Sequence, residues 1–317
     1  MHLGDLGKSL FLSTDQMTTL GQTGLVVSES PDRRSARLRV AAPGVREGKR
    51  HMGRPSYDRG ADLKAGDVVD LRVVVHVVPA KDLGAFFERF FALRRELAGR
   101  PRERQDVPFA AAWRLQEGKY NRENWVEKEG YYSVGMREVP SQDWQTGWVG
   151  GPNAAYALLV DGDARTAERA LRVWDFIADQ AVTPSGFVKG CYSKGTWQGD
   201  TSVCYLRYSA DTLYFLAKTL LLLAKRPPHT VIKESWIRLA RGLCDGFVAQ
   251  FEREGRFVHY VDANDGSTVV GGSCAAALAP AALALCARYF NEPHYLDVAQ
   301  GAAQVYVDQF LAKGITN

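Results

Sequence analysis

The sequence predicts a mainly α protein, an α/α toroid of αα-hairpins preceded by a small antiparallel β region. Three observations predict it. Segments of helical period come in pairs over the last two-thirds of the chain. In each pair the first segment is apolar on nearly all sides and the second is amphipathic. Links within a pair are short, whereas links between pairs are long. A helix that is apolar all round is buried, and one with a single apolar face lies outside it. The pairs therefore describe an inner ring wrapped by an outer ring.

The first 80 residues read as strands. Residues 24–28 and 36–41 are short and alternating or β-branched. Residues 67–78 are the clearest strand, with Val68, Leu71, Val73, Val75 and Val77 among polar or β-branched neighbours. Turn residues such as Pro43-Gly44 and Gly60-Ala61-Asp62 separate them. The period changes at Lys81. Leu83, Phe86, Phe87, Phe90, Phe91 and Leu93 mark an amphipathic helix to about residue 97. A polar linker (99–108), a helical piece (109–116) and an aromatic-rich irregular stretch follow.

The pairs begin after Gly150. Residues 152–160 form an apolar helix with Pro152 in the first turn, and Asp161-Gly162-Asp163 turns the chain, with Asp163 as cap. Residues 165–182 are amphipathic, with Leu171, Trp174, Ile177 and Ala178 on one face. The second pair is 204–225 and 231–253, and the third is 274–290 and 294–312. Second helices start near 163, 230 and 294, a period of roughly 65 residues, longer than that of TPR, HEAT or armadillo repeats. The long links, 183–203 and 254–273, emerge on one face because the pairs are equivalent. Long ordered loops in compact domains usually carry function. The expected organisation is a β-rich region at 1–80, a linker helix and aromatic loop at 81–147, and toroid hairpins at 148–317.

Composition narrows the function. A net charge of +4 with interspersed acids and arginines gives no basic stripe, which argues against nucleic acid. No run reaches the ~20 apolar residues of a membrane span. No secretory signal is legible, because Asp5 and Lys8 interrupt the N-terminal apolar run, so a cytoplasmic location is expected. Cys191, Cys204, Cys244, Cys274 and Cys286 are odd in number and form no CxxC, so free thiols are expected and no metal or cofactor. The sequence lacks GxGxxG after a strand, Walker A, HExxH and GxSxG motifs.

Strands, a linker helix and αα-hairpins of this period, with the stretches Trp144-Gln-Thr-Gly-Trp148-Val-Gly-Gly-Pro152 and Ser209-Ala210-Asp211-Thr212-Leu213-Tyr214, resemble the six-hairpin (α/α)6-barrel glycoside hydrolases with an N-terminal β-sandwich. The resemblance implies a carbohydrate-active enzyme, a glycoside hydrolase that cleaves a glycosidic bond by carboxylate acid/base catalysis, with an oligosaccharide or polysaccharide substrate. Three hairpins are legible where that family has six. The expectation is therefore that a missing C-terminal half or a second chain completes the ring, and that helices 213–224 and 275–286 keep an apolar flank toward an open centre.

Candidate site residues are the carboxylates and aromatics of the long loops. Aromatic rings stack on the C–H faces of sugars, and glycoside hydrolysis needs two carboxyl groups across the bond. Asp200, Glu129 and Asp143 are the candidate catalytic acids. Trp125, Tyr132, Trp144, Trp148, Trp197, Arg207, Asp211, His259 and Tyr260 are the candidate substrate-binding residues. Each also has a plainer reading. Trp144 and Trp148 read equally as core. Asp200, between Gly199 and Thr201, reads as a turn residue. Asp211 reads as an ion-pair partner of Arg207 at i, i+4. Asp262 and Asp265 read as turn residues. Two other functions fit the same inventory: a polysaccharide lyase or sugar epimerase using Tyr260, His259 and Arg207, and a non-catalytic glycan-binding protein.

Overall fold

A computed structural model describes residues 1–32, 34–46, 58–99, 106–134, 143–147, 151–226 and 231–312. The chain divides into two units, Met1–Gln105 and Asp106–Asn317.

In the first unit, strands β1 (His2–Leu3), β2 (Lys8–Thr14) and β7 (Val73–Pro79) form an antiparallel sheet with β2 in the centre. Between β2 and β7, β3 (Met17–Thr18) pairs with β4 (Gly21–Gln22), and β5 (Gly24–Glu29) pairs with β6 (Ala36–Ala41). Helix α1 (Leu83–Ala98) starts at Asp82, whose carboxylate accepts from the Ala85 N–H. It lays Phe86 on Phe11 of β2, with ring centroids 5.1 Å apart. Strand β2 escapes the alternation test. Ser9 and Phe11 are buried, but Leu10 and Leu12 on the other face are apolar too.

The second unit is mainly α. Helix α2 (Phe109–Lys119) continues through a π-helical turn, Tyr120–Asn124, into a short hairpin of β8 (Trp125–Val126) and β9 (Tyr131–Tyr132). Strand β10 (Trp144–Gln145) follows. Three αα-hairpins then succeed one another: α3 (Gly151–Asp161) with α4 (Ala164–Phe176), α5 (Leu206–Leu223) with α6 (Glu234–Glu254), and α7 (Ala279–Phe290) with α8 (Pro293–Tyr306). Helices α3, α5 and α7 neighbour one another in an inner row, and α4, α6 and α8 form the outer row. This two-layered arc is the expected α/α-toroid architecture.

Burial follows from the sequence pattern. Helix α5 is buried on most of its sides, with Leu206, Leu213, Leu216, Ala217 and Leu220 fully covered. In α4 the buried residues are Thr166, Arg169, Ala170, Val173, Trp174 and Phe176, one face of an amphipathic helix. Because α5 lies between α3 and α7, its expected open flank is largely covered. Helix α7 instead borders an apolar groove of about 680 Å³, shared with α8 and lined by Pro280, Ala284, Leu296, Tyr306 and Phe310. Helix α7 also begins at Ala279 rather than at 274. Pro280 has no N–H to donate and fits the first turn, so the residues before it form turns.

The long links are ordered as small antiparallel sheets. The link after α4 contributes β11 (Cys191–Ser193), β12 (Thr196–Gln198) and β13 (Val203–Tyr205). The link after α6 contributes β14 (Tyr260–Asp262) and β15 (Thr268–Val270). Strand β10 joins β11 and β12 in one sheet, and β13, β14 and β15 form another. The β13–β14 ladder ties the two long links together, with Tyr205 opposite Tyr260. All five cysteines are free thiols, and no helix among the described residues is long and apolar enough to cross a membrane.

Candidate functional site

The start of α5 is where the links converge. Segment 143–147 lies flat on it. Thr212 Oγ1 donates to the Thr146 carbonyl at 2.7 Å, and Thr146 Oγ1 donates to the Lys189 carbonyl at 2.6 Å. A Cβ on Gly147 would stand 2.7 Å from the Tyr208 Cα, so only glycine permits this approach. Opposite, the Leu206 N–H donates to the His259 carbonyl, and the His259 N–H donates to the Val270 carbonyl. The backbone thereby fixes Tyr205, His259 and Tyr260 as a cluster of near-parallel rings. Tyr205 lies 4.9 Å from His259 and 5.0 Å from Tyr260, and His259 lies 4.8 Å from Tyr260. The Tyr208 ring meets Tyr205 edge-on at 5.1 Å, and its hydroxyl is 3.6 Å from the Cys191 thiol.

One helical turn further, Arg207 and Asp211 face each other at 3.8 Å. The arginine side chain is 43% exposed and the carboxylate 11%. The start of α5 thus carries an exposed guanidinium and a nearly buried carboxylate in addition to the ring cluster packed against it. Burial holds Tyr208 and Tyr260 above the ordinary phenol value, and neighbouring tyrosine and cysteine groups add to it. Both hydroxyls are therefore proton donors at neutral pH. Burial also raises the Cys191 thiol, against hydrogen bonds with Tyr208 and Gln145 that lower it, so Cys191 is no activated nucleophile.

The other sequence candidates divide by what holds them. Asp143 is buried and accepts from Ser133 Oγ at 2.6 Å and Ser193 Oγ at 3.1 Å. Asp200 accepts from the Ser202 N–H and hydroxyl, which lower its pKa, and so closes the turn before β13. The turn residues Asp262 and Asp265 accept from the N–H groups of Asn264 and Ser267. Trp125 lies under two guanidinium groups, Arg169 at 4.8 Å and Arg172 at 5.0 Å. Tyr132 is buried and its hydroxyl donates to Asn121. Trp144 is fully buried against Tyr131, Phe176 and Trp197. Neither Tyr132 nor Trp144 offers a ring face to a ligand. Trp148 lies outside the described residues.

Strand β11 separates two environments. Cys191 points toward Tyr208, whereas Tyr192, next along the strand, packs on Phe176 and Trp197 on the opposite face. Trp197 and Glu129 fall on the Tyr192 side. There, Glu129 and Tyr192 line a cavity of about 400 Å³. Tyr208 and, through Tyr205, the rings of His259 and Tyr260 fall on the Cys191 side, and Arg207 and Asp211 follow on α5. The sequence inventory of site residues passed over Tyr208. Its helix reads as apolar all round, and only the i, i+3 spacing from Tyr205 points to a shared edge. Among the described residues, no group of three or more His, Cys, Asp or Glu is arranged to hold a metal ion.

No protein-family model matches the sequence, and no curated protein matches it significantly. Solved structures do. The chain is similar to a cellobiose 2-epimerase from Bacillus thermoamylovorans, at 8% identity and a TM-score of 0.49, over 63% of this chain and 54% of that one. It is also similar to a D-mannose isomerase, at 16% identity and a TM-score of 0.46, over 63% and 51%. A third is an unsaturated glucuronyl hydrolase from a Bacillus species, at 16% identity and a TM-score of 0.35, over 62% and 48%. The chain spans about half the length of each.

Proposed function

We propose that this chain carries a sugar-transforming site at the start of α5, working by proton transfer to His259 and from Tyr260 in the manner of an epimerase, isomerase or lyase. The observation that carries the reading is the Tyr205–His259–Tyr260 cluster in the same loop face as the Arg207–Asp211 pair. The His259 imidazole takes a proton from a carbon next to a carbonyl or carboxylate. Tyr260, a phenol protonated at neutral pH, donates to the oxygen on which negative charge grows, and Arg207 adds positive charge there. If the planar intermediate turns its other face to His259, returning the proton there gives the epimer. Expelling a leaving group instead gives an unsaturated product.

Hydrolysis is the second reading. It needs two carboxyl groups about 5–5.5 Å or about 6.5–9.5 Å apart. Among the described candidate acids, Asp211 shares the start of α5 with this cluster. Asp143 and Asp200 are engaged by serines, and Glu129 lies across β11. The nearly buried carboxylate of Asp211 keeps hydrolysis in view.

One experiment separates them. Incubation with a panel of reducing sugars and uronic-acid oligosaccharides in D₂O, followed by proton NMR, should show deuterium entering a carbon-bound position or a new double bond. Replacing His259 with Ala should slow this by a factor of about 10² to 10⁴. Release of reducing ends without carbon-bound deuterium, lost in Asp211→Asn and retained in His259→Ala, would establish the hydrolase instead.

A further inference from the structure

The cavity on the Tyr192 side of β11 is chemically unlike the site at the start of α5, and nothing in the reading of His259 and Tyr260 uses it. It is walled by Glu129, Arg172, Phe176, Asp179, Gln180 and Tyr192 and has a volume of about 400 Å³. Its centre of interest is Glu129. The side chain is 15% exposed, and its ion pair is with Lys128 Nζ at 4.0 Å, itself 89% exposed. A carboxylate covered to that degree ordinarily has strong hydrogen-bond partners, since burying an anion without them is costly. Two neighbours have such partners. Arg172 donates to Glu127 at 2.6 Å, and Asp175 accepts from Lys233 and Trp236 at 2.8 and 3.0 Å.

The polar groups of this wall are of both kinds. Glu129 and the exposed Asp179 are acceptors. The Gln180 amide offers donors and an acceptor, and the Tyr192 hydroxyl is kept a donor by burial and by the Glu129 charge. An ammonium ligand has donors alone and a carboxylate ligand has acceptors alone. Hydroxyl groups are both at once, and a ring of them meets this mixture. Phe176 and Tyr192, 5.0 Å apart and largely buried, back this wall. We propose that this cavity is a second binding site, for a neutral sugar residue, with Glu129 and Gln180 reading its hydroxyls. The alternation of β11 puts it behind the proposed reaction site, so it holds a separate sugar rather than the reacting one.

The test is a titration of the full chain with glucose, galactose and mannose, with glucosamine and glucuronate as cationic and anionic comparators. Binding is followed by saturation transfer from protein to sugar and by tryptophan fluorescence, because Trp197 lies 5.1 Å from Tyr192. At least one neutral sugar should bind, and His259→Ala should bind it as well as the parent chain does. Glu129→Gln should weaken it about tenfold or more, as expected for losing a hydrogen bond to a charged acceptor. Gln180→Ala, at an exposed position, should also weaken it with the fold unchanged by circular dichroism. The proposal is overturned if no neutral sugar binds, if glucosamine or glucuronate alone binds, or if binding survives both Glu129→Gln and Gln180→Ala. Loss in His259→Ala alone would place the sugar at the α5 site. An inert His259 would sink the proposed function and leave this inference standing.

Discussion

Asp143 shows how a loop carboxylate becomes a brace. It is 5% exposed and joins Ser133 in one loop to Ser193 in another. Replacing it with Ala leaves two buried hydroxyls without their acceptor, which costs about 1–3 kcal/mol. Asp143→Ala should therefore lower the urea midpoint while any turnover per folded molecule stays unchanged. Loss of turnover at unchanged stability would make it a functional acid. The sequence could not reveal this role, because the serines lie 10 residues before and 50 after. Asp200 is different. Its partner, Ser202, is two residues away, a local pattern that sequence reading recovers as a turn. Acids with local partners were thus legible, and acids with distant partners were not. His259, Tyr260, Arg207 and Asp211 could be picked out by residue type, but only the β13–β14 ladder brings the first two to Tyr205.

Elements were more legible than sites, since helix periodicity and caps are local. Asp163 is the clearest case. Its carboxylate accepts from the Thr166 N–H at 2.7 Å and opens α4. Its own N–H donates to Glu117 at 2.7 Å, and Glu117 also accepts from the Thr166 hydroxyl. One helix start is thereby capped from within and held by α2. Asp163→Ala should cost about 1 kcal/mol by thermal or urea unfolding. Glu117→Ala should weaken the same helix start, and the two losses should not add, because the residues share Thr166. No local pattern signals Glu117's role, which depends on α2 meeting α4. The late start of α7 followed from Pro280, and the N-terminal strand β2 escaped notice because apolar residues fall on both of its faces, Phe11 on one and Leu10 and Leu12 on the other.

At the scale of the whole molecule, the tyrosines set an alkaline limit. Burial, the first cause in each case, raises Tyr132 to about 12, and it also raises Tyr192, Tyr208 and Tyr260 above the ordinary value of 10. In the unfolded chain these groups release their protons near the ordinary value, while the folded protein still holds them. The unfolded state then binds fewer protons, so stability falls as pH rises. The contribution is fully present below pH 10 and, for Tyr132, is lost between pH 10 and about 12. Urea unfolding across that window should show the decline. Tyr132→Phe should flatten it, after an initial loss of about 1 kcal/mol for the bond to Asn121. The layered arc that buries these rings was readable from paired helical periods, because that pattern repeats. The separation of the loop face into two environments was not, because it depends on how β10, β11 and β12 pair.

That pairing makes the hairpin turn at Lys194 and Gly195 a shared control point. Both residues have positive φ, 50° and 83°, and the turn sets which residues of β12 stand opposite β11. Removing one residue there would shift the ladder by one position and exchange inward and outward side chains along β12. Trp197 would leave the aromatic cluster, and Gln198 would enter it. A single codon lost in this turn would thus damage both the packing behind the Glu129 cavity and the edge of its lining at Gly195, whereas the same loss in the exposed turn at Asn264 would act through the other sheet. Natural variation in length should therefore be rarer at the 194–195 turn than its exposure alone would imply.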